Sequence, residues 1–215
     1  MNVISFSLWG SNPKYTIGAI RNAELAQEIY PGWTCRFYTG TSVPKEITDQ
    51  LASFKNVKII NKNEDQNWKG AYWRFYAGTD SDVAIFRDTD SRLSLREKYA
   101  VDEWLKSNKT VHIMRDHPYH NFAMLAGMWG YKNNGKYNLK ELLDNFDKKD
   151  YYGNEYEFFS TVLYPLIKDD AVVHDEFFEG KPFPSIRRNN QFVGQVFDEN
   201  ENTPIEHQNA LNKVR

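Results

Sequence analysis

The segment AIFRDTDSRLS, residues 84–94, joins an apolar run directly to a polar turn that holds Asp88 and Asp90 between two arginines. The apolar residues VAIF fit a buried strand, and ligands of open α/β sheets bind at the carboxyl ends of strands. Two carboxylates one residue apart at such a point can hold one hard divalent cation, which neutralises a diphosphate. The guanidinium of Arg92 matches the geometry of both carboxylate and phosphate. The alternative, a solvated turn whose aspartates cap the next helix, stays open here.

Strand and helix patterns alternate on the amino-terminal side of this segment. An apolar run is followed by residues whose apolar spacing fits an amphipathic helix, and the alternation then repeats. Such a pattern predicts a sheet of parallel strands covered by helices. The predicted strands are 3–8, 34–40, 57–60 and 83–86, and the predicted helices are 17–30, 44–54 and 68–80.

The α/β pattern continues on the carboxyl-terminal side. Helical spacing recurs at 95–107, 138–146 and 156–167, and short apolar runs predict strands at 110–114 and 171–174. After residue 197 the chain is polar and has no strong period, which predicts a loose tail or a linker. No repeat and no second-domain boundary interrupts the pattern. The sequence therefore predicts a single α/β domain.

Composition excludes several classes of protein. The 215-residue chain has 27 Lys and Arg against 29 Asp and Glu, a formal net charge of −2, which gives no electrostatic case for nucleic acid. The single cysteine, Cys35, cannot form an internal disulfide, and no stretch approaches the roughly 20 apolar residues that span a bilayer. The amino terminus lacks the features of a signal peptide. We therefore expect a cytoplasmic protein, with a monomer or one domain of a longer chain as the default.

Other polar residues are candidates for the same site. His174 ends the apolar run AVVH, and imidazole is an acceptable third ligand for manganese-like ions. Arg74, on the predicted helix before the acidic turn, can reach the turn, or is an arginine that extends to the surface beside a core tryptophan. A structural zinc site at His112, His117 and His120 is excluded because the spacing is interrupted by proline and no cysteine is nearby.

Residues 72–132 contain five short motifs: WR at 73–74, FRDTDSR at 86–92, RE at 96–97, HIMRDHP at 112–118 and GMWG at 127–130. In this combination the segment resembles small nucleotide-sugar-dependent glycosyltransferases of the GT-A fold, and most closely the amino-terminal domain of chlorella virus members that glycosylate the capsid protein. A weaker resemblance extends over nearly the whole chain.

The resemblance implies a Rossmann-like, mixed and mostly parallel sheet flanked by helices. Within residues 1–197, a nucleotide-binding part of about 1–92 would join an acceptor-binding part of about 93–197, followed by the polar tail or linker at 198–215. The implied activity is transfer of a sugar from a UDP-sugar, such as UDP-glucose or UDP-rhamnose, to a glycan acceptor on a protein, the viral capsid protein in those members.

The resemblance also implies roles for individual residues. Mn²⁺ or Mg²⁺ would be held by Asp88, Asp90 and His174. Fold analogy places the nucleotide against Ser7, Tyr15, Arg21, Arg74 and Asp88, with Arg187 and Arg188 closing over the diphosphate. The expected catalytic residues are Asp116, which would position or deprotonate the acceptor hydroxyl, and Arg92, which would stabilise the leaving group. Glu97 and His117 are the alternatives to Asp116 for that role.

Two other functions use similar motifs. Metal-dependent phosphohydrolases with an aspartyl nucleophile place Asp-x-Asp at the end of the first strand, whereas here it follows the fourth predicted strand. A non-catalytic domain that binds sugars or nucleotides would keep the fold without turnover. Release of free nucleotide distinguishes that domain from an enzyme.

Overall fold

The computed structural model describes residues 1–64 and 67–214, and its centre is one sheet of seven strands in the order β3-β2-β1-β4-β6-β5-β7. β6 is antiparallel to both of its neighbours, and every other pairing is parallel. The predicted mixed, mostly parallel α/β sheet is confirmed. The strands are β1 (Asn2–Leu8), β2 (Thr34–Thr39), β3 (Val57–Asn61), β4 (Val83–Phe86), β5 (Val111–Arg115), β6 (Trp129–Lys132) and β7 (Ala171–Asp175).

Helices cover both faces of the sheet. A twelve-residue 3-10 helix, Trp68–Thr79, stands where the sequence predicts an ordinary helix, and a π-helical turn, Phe159–Leu163, divides the last predicted helix before β7. No helix among residues 1–64 and 67–214 is both long and apolar enough to cross a bilayer. The α-helices are α1 (Pro13–Ile29), α2 (Lys45–Ala52), α3 (Leu95–Lys106), α4 (Leu139–Asn145), α5 (Asn154–Phe158), α6 (Tyr164–Ile167) and α7 (Ile205–Lys213).

Alternation of side chains along the strands builds a core on each face. In β1, Ile4 and Phe6 pack with α1 and α3, whereas Val3 packs on the opposite face with the 3-10 helix and α4–α6. On that second face Phe86 and Trp129, paired across β4 and β6, have ring centroids 4.1 Å apart. Both faces of the central strands are therefore buried, and this packing fixes the position of the carboxyl end of β4.

Two elements differ from the sequence prediction. β6 lies in a segment of small residues that gives no strand signal, and its Gly130 is required because a Cβ there would lie 2.9 Å from the Trp104 ring. The polar segment after residue 197 contains α7, whose Leu211 is buried. In the same segment, Glu201 accepts hydrogen bonds from the buried guanidinium group of Arg92. Sparse apolar residues therefore suffice to pack this segment when ion pairs assist.

Candidate active site

The acidic turn, residues 87–92, is held in place by α1. Because Gly18 has no side chain, α1 packs directly against the turn, and a Cβ at this position would lie 2.0 Å from the carbonyl oxygen of Thr89. One turn further along α1, the buried amide of Asn22 donates a 2.8 Å hydrogen bond to the carbonyl of Ser91. A rigid helix thus fixes the backbone that carries both aspartates.

Asp88 and Asp90 both line a cavity of about 930 Å³ at the carboxyl ends of β1 and β4. Gly127 allows Asp88 to enter this space, since a Cβ on Gly127 would lie 1.9 Å from Oδ2 of Asp88. The volume is within the range of small-molecule sites. Other lining residues, drawn from between residues 7 and 196, include Ser7, Trp9, Asn12, Tyr15, Trp68, Arg74, His120, Met128, Tyr152, Glu155, Tyr156, Gly194 and Val196.

Each aspartate of the turn has a basic partner. Arg74 donates to Oδ1 of Asp88 and to the carbonyl of Arg87, and Lys14 lies 2.7 Å from Oδ2 of Asp90. Burial, followed by the charge of Asp88, raises the pKa of Asp90. Burial alone would lower the pKa of Lys14, but the hydrogen bond that Lys14 donates to Asp90, together with the negative charge of Asp90, raises it above its ordinary value. The site therefore combines two carboxylates with two fixed cations.

The residues predicted to hold the nucleotide divide into two groups. Ser7, Tyr15 and Arg74 line the cavity together with Asp88. Oγ of Ser7 also accepts a 3.0 Å hydrogen bond from the backbone amide of Arg74, so β1 positions the 3-10 helix. Arg21 does not join them, because it is exposed on α1 and pairs with Glu24.

Asp116, predicted to act on the acceptor, is instead the centre of a buried ion-pair network. Its side chain is fully buried, and both oxygens accept hydrogen bonds: Oδ1 from Arg96 and Arg187, and Oδ2 from Arg96 and the Val193 amide. This network ties the segment that leads to Gly194 to the end of β5. All four of these hydrogen bonds hold Asp116 within the network, and Asp116 is not among the residues that line the cavity.

The other residues predicted at the reaction centre lie outside the cavity lining. Arg187 is engaged with Asp116 and Glu176, and Arg188 is exposed. Glu97 is buried and accepts hydrogen bonds from Tyr30 and Arg87, at 3.0 Å each. Arg92 donates to Glu201 and to the carbonyl of Thr89. These side chains hold helices and loops together around the site.

His174 is not brought together with Asp88 and Asp90. Its Nδ1 lies 2.8 Å from Nε2 of His112, which stacks on Trp104 of α3, and its Nε2 lies 3.5 Å from Glu103. Burial, which disfavours the charged imidazolium, lowers the pKa of His174. No cluster of three or more His, Cys, Asp or Glu side chains suited to a metal occurs in the described part of the chain. His174 therefore faces α3 and does not line the cavity that holds Asp88 and Asp90.

Several residues that line the cavity or stand beside it have no role in the sequence prediction. Lys14 stands at the first turn of α1, and its position beside Asp90 has no signal in the sequence. Glu155, Tyr152 and Tyr156 belong to the aromatic run YYGNEYEFF, whose rings among polar neighbours are a recognisable signal for sugar binding. Trp68 belongs to a similar run, WKGAYWRFY, and is 42% exposed. Tertiary structure brings the two runs together at the mouth of the cavity, where the Trp68 and Tyr152 ring centroids are 5.1 Å apart.

No protein-family model and no curated protein sequence matches this chain. Solved structures do resemble it. A galactosyltransferase, LgtC, in complex with donor and acceptor sugar analogues is 13% identical with a TM-score of 0.50, over 83% of this chain and 74% of LgtC. Glucosyl-3-phosphoglycerate synthase from Mycobacterium tuberculosis, in complex with UDP, is 14% identical with a TM-score of 0.51, over 87% of this chain and 73% of the synthase.

A mannosyltransferase from Pyrobaculum calidifontis, in complex with GDP-mannose and Mn²⁺, has a TM-score of 0.56 at 10% identity, over 81% of this chain and 55% of the mannosyltransferase. At these identities the likeness establishes the fold. The chain therefore has the GT-A fold that the sequence predicts, with the acidic turn at the carboxyl end of its central strand.

Proposed function

We propose that this chain is a metal-dependent glycosyltransferase that transfers a sugar from a nucleotide-sugar donor to a hydroxyl group of a glycan. The observation that carries this proposal is the placement of Asp88 and Asp90 at the carboxyl end of β4, facing a cavity of about 930 Å³ that also carries aromatic rings. Nucleotide sugars combine a diphosphate with a nucleoside and a sugar, and the cavity offers charged groups for the first and aromatic rings for the other two.

The carboxylates fit a hard divalent cation. Mg²⁺ is usually held in proteins by one or two carboxylates, with substrate phosphates and waters completing its coordination, and Mn²⁺ accepts similar oxygen ligands. Asp88 and Asp90 meet that requirement without His174. A bound Mn²⁺ or Mg²⁺ would neutralise the charge of the diphosphate.

The cations of the chain would complete the charge balance. Arg74 lines the cavity and Lys14 stands beside it, so both lie where a diphosphate bound near the acidic turn gains negative charge as the bond to the sugar breaks. Fixed positive charge of this kind lowers the barrier because it needs no rearrangement during the reaction. Ser7 and Tyr15 would contact the nucleoside.

The finer assignments depend on the resemblance within residues 72–132. They are a uridine nucleotide, glucose or rhamnose as the sugar, and a protein-linked glycan such as that of a viral capsid as the acceptor. Residues of about 1–92 would bind the nucleotide and residues of about 93–197 the acceptor. The similar structures carry both UDP and GDP-mannose, so guanosine donors belong in the same test.

Calorimetric titration tests the proposal. UDP, UDP-glucose, UDP-galactose, UDP-rhamnose and GDP-mannose are titrated with Mn²⁺ and with EDTA, and release of free nucleotide is then measured. Metal-dependent binding with slow nucleotide release supports a transferase. Binding without any release over hours points to a non-catalytic domain, and no binding of any nucleotide sugar contradicts the proposal.

A further inference from the structure

His120 lies on the wall of the cavity, in the turn that follows β5. Its Nδ1 accepts a 3.0 Å hydrogen bond from the backbone amide of Asp116. A ring nitrogen that accepts from an N–H group carries no proton of its own, so the neutral imidazole of His120 has its proton on Nε2. The fold therefore selects one tautomer of this histidine, and its remaining polar group is an N–H donor.

The surroundings of His120 keep the ring in its neutral form. Burial, followed by the neighbouring His117 and His207, lowers the pKa of His120 to about 3. A second proton would also displace the amide of Asp116 from Nδ1, which disfavours the charged form further. At neutral pH His120 therefore supplies a hydrogen-bond donor without a positive charge, unlike the arginine and the lysine beside the acidic turn.

His117, in the same turn, shows how a structural histidine uses both of its nitrogens. Its Nδ1 accepts from the amide of Tyr119, and its Nε2 donates to the carbonyl of His207 on α7, at 3.0 Å each. Nε2 of His120 has no such partner among residues 1–64 and 67–214. His120 lines the cavity, whereas His117 does not. Because polar groups inside proteins normally find partners, the donor of His120 points to a ligand.

Neighbouring rings fix the orientation of His120. The ring centroids of His117 and Phe192 lie 5.6 and 5.8 Å from that of His120. Phe192 is buried and leads to Gly194, which lines the cavity and packs so closely on Met128 that a Cβ would lie 2.5 Å from its Sδ. The imidazole is therefore held by a packed wall, as a substrate-binding group requires.

The wall that holds His120 is uncharged and adjoins the acidic turn. Gly127 of the same loop lies against the carboxylate of Asp88. No Asp, Glu, Lys or Arg from residues 120–128 or 194–196 lines the cavity. The other lining residues of this wall are Leu125, Ala126, Met128, Gly194 and Val196. Such a surface suits a neutral part of the ligand next to the diphosphate.

The order of the strands assigns a different part of the donor to each part of the cavity. Ser7 and Tyr15, proposed to contact the nucleoside, belong to β1 and α1, and the acidic turn, proposed for the diphosphate, follows β4. His120 follows β5, two strands beyond β4 in the sheet. A nucleotide sugar that crosses these strand ends in order brings its sugar to the uncharged wall. Sugar hydroxyl groups are neutral and can accept a hydrogen bond from an N–H donor.

We propose that His120 determines the preference for the donor sugar, because its Nε2–H group donates a hydrogen bond to a hydroxyl group of the sugar that is transferred. This role rests on the proposed transferase activity. It leaves the nucleotide to β1, α1 and the acidic turn. A site built to pair with a hydroxyl group disfavours a sugar that lacks this group or presents it elsewhere.

Two substitutions separate the nitrogen of His120 that faces a ligand from the one that bonds to the backbone. In His120→Asn the side-chain oxygen takes the place of Nδ1 and keeps the amide of Asp116 bonded, but the donor at Nε2 is lost. In His120→Gln the longer side chain carries an N–H donor toward the position of Nε2 and gives up the acceptor at Nδ1. Tyr119→Phe is the control, because Tyr119 is exposed in the same turn.

Calorimetric titration in Mn²⁺ first identifies which of UDP-glucose, UDP-galactose, UDP-rhamnose and GDP-mannose binds wild type most tightly. That donor and its sugar-free nucleoside diphosphate are then titrated into each variant. We expect His120→Asn to weaken donor binding roughly 3- to 10-fold, the scale of one neutral hydrogen bond, and to leave the Kd of the nucleoside diphosphate within about twofold. His120→Gln should retain more of the donor affinity than His120→Asn, and Tyr119→Phe should match wild type.

The outcomes separate this role from the alternatives. A donor Kd in folded His120→Asn equal to that of wild type overturns it, as does an equal loss for the donor and for the nucleoside diphosphate. Weakened donor binding in His120→Gln alone would assign His120 to support of the turn. His120→Ala, which lacks both nitrogens, repeats the test should His120→Asn not fold. Failure of wild type to bind any nucleotide sugar overturns the proposed function instead.

Discussion

The ammonium group of Lys14 lies 2.7 Å from the carboxylate of Asp90. Asp88, the other aspartate of the acidic turn, pairs with Arg74. Two like-charged carboxylates one residue apart repel each other, and the two cations offset that repulsion. A divalent cation bound at Asp90, as proposed, would therefore compete with Lys14 for the carboxylate. Lys14 would then be free to contact the diphosphate.

Replacing Lys14 with methionine should strengthen metal binding by the protein in the absence of nucleotide. The competing ammonium group is removed, so the affinity for Mn²⁺ should rise by roughly 3- to 30-fold, about 0.7–2 kcal/mol for a partly buried charge pair. Free Mn²⁺ measured by electron paramagnetic resonance reports the change. Lys45→Met is the control, because Lys45 is an exposed lysine paired with Asp49 on α2. Equal Mn²⁺ affinity in Lys14→Met and wild type would exclude competition.

Replacing Asp90 with asparagine should abolish metal-dependent donor binding without loss of stability. Folding raises the pKa of Asp90, chiefly through burial, so its ionised form costs stability once the pH exceeds the unfolded pKa. That cost grows as pH rises toward the folded pKa and is fully present above it. The neutral amide avoids it, and the free energy of unfolding at pH 7 should equal or exceed that of wild type. A variant that unfolds while the remaining folded protein still binds donor would place the metal elsewhere.

Adding a methyl group at Gly127 should displace Asp88. The Cβ would lie 1.9 Å from Oδ2 of Asp88, a distance that forces the carboxylate or the backbone to move. We expect Gly127→Ala to weaken metal-dependent donor binding at least tenfold and to lower the free energy of unfolding by about 1–3 kcal/mol. Calorimetry and chemical denaturation measure the two effects. Donor affinity equal to that of wild type would mean that Asp88 does not contact the donor or its metal.

Removing the Asp116 carboxylate should affect stability more than donor binding. Asp116→Ala leaves the buried guanidinium groups of Arg96 and Arg187 without their shared partner, which should cost about 3–5 kcal/mol of unfolding free energy. Asp147→Ala, on an exposed loop, should change it by less than about 0.5 kcal/mol. Full stability of Asp116→Ala with loss of turnover alone would support the catalytic role that the sequence predicts.

Replacing His174 should leave metal binding unchanged. His174 contacts His112 and Glu103 on the α3 side of the sheet, so His174→Asn should bind Mn²⁺ with an affinity within about twofold of wild type. Asp88→Asn serves as the positive control, because its carboxylate faces the cavity. A tenfold loss of Mn²⁺ affinity in His174→Asn would restore the sequence prediction of a third metal ligand.

The fold was accessible from the sequence because its central strands are short apolar runs that end in turn residues. The prediction of a strand at 83–86 matches β4 (Val83–Phe86) residue for residue. β6 is not predicted, because its segment of small residues has no strand pattern. Its Gly130 packs directly against the ring of Trp104, and that contact joins residues far apart in the chain. The sequence pattern therefore predicts the strands that are apolar runs in themselves, and misses a strand that depends on contacts with distant residues.

The candidate site was only partly accessible, because the order of residues does not fix the direction of a side chain. Asp88 and Asp90 occupy a turn at the end of a buried strand, where most orientations lead to the cavity. His174 also ends an apolar run, yet it faces α3. Glu155, amid aromatic residues on a short helix, gave no local sign of its burial, which depends on the 3-10 helix packed beside it.

The antiparallel pairing of β4 with β6 has a consequence for folding during synthesis. β4 carries the acidic turn, but one of its edges stays unpaired until Trp129–Lys132 has been made, and the backbone amide of Phe197 bonds to the carbonyl of Asp90 later still. A nascent chain that ends near residue 92 would expose a flat apolar strand edge, a form prone to aggregation. We therefore expect the two halves of the cavity to be inseparable as expressed fragments, although each contributes its own set of ligand-facing residues.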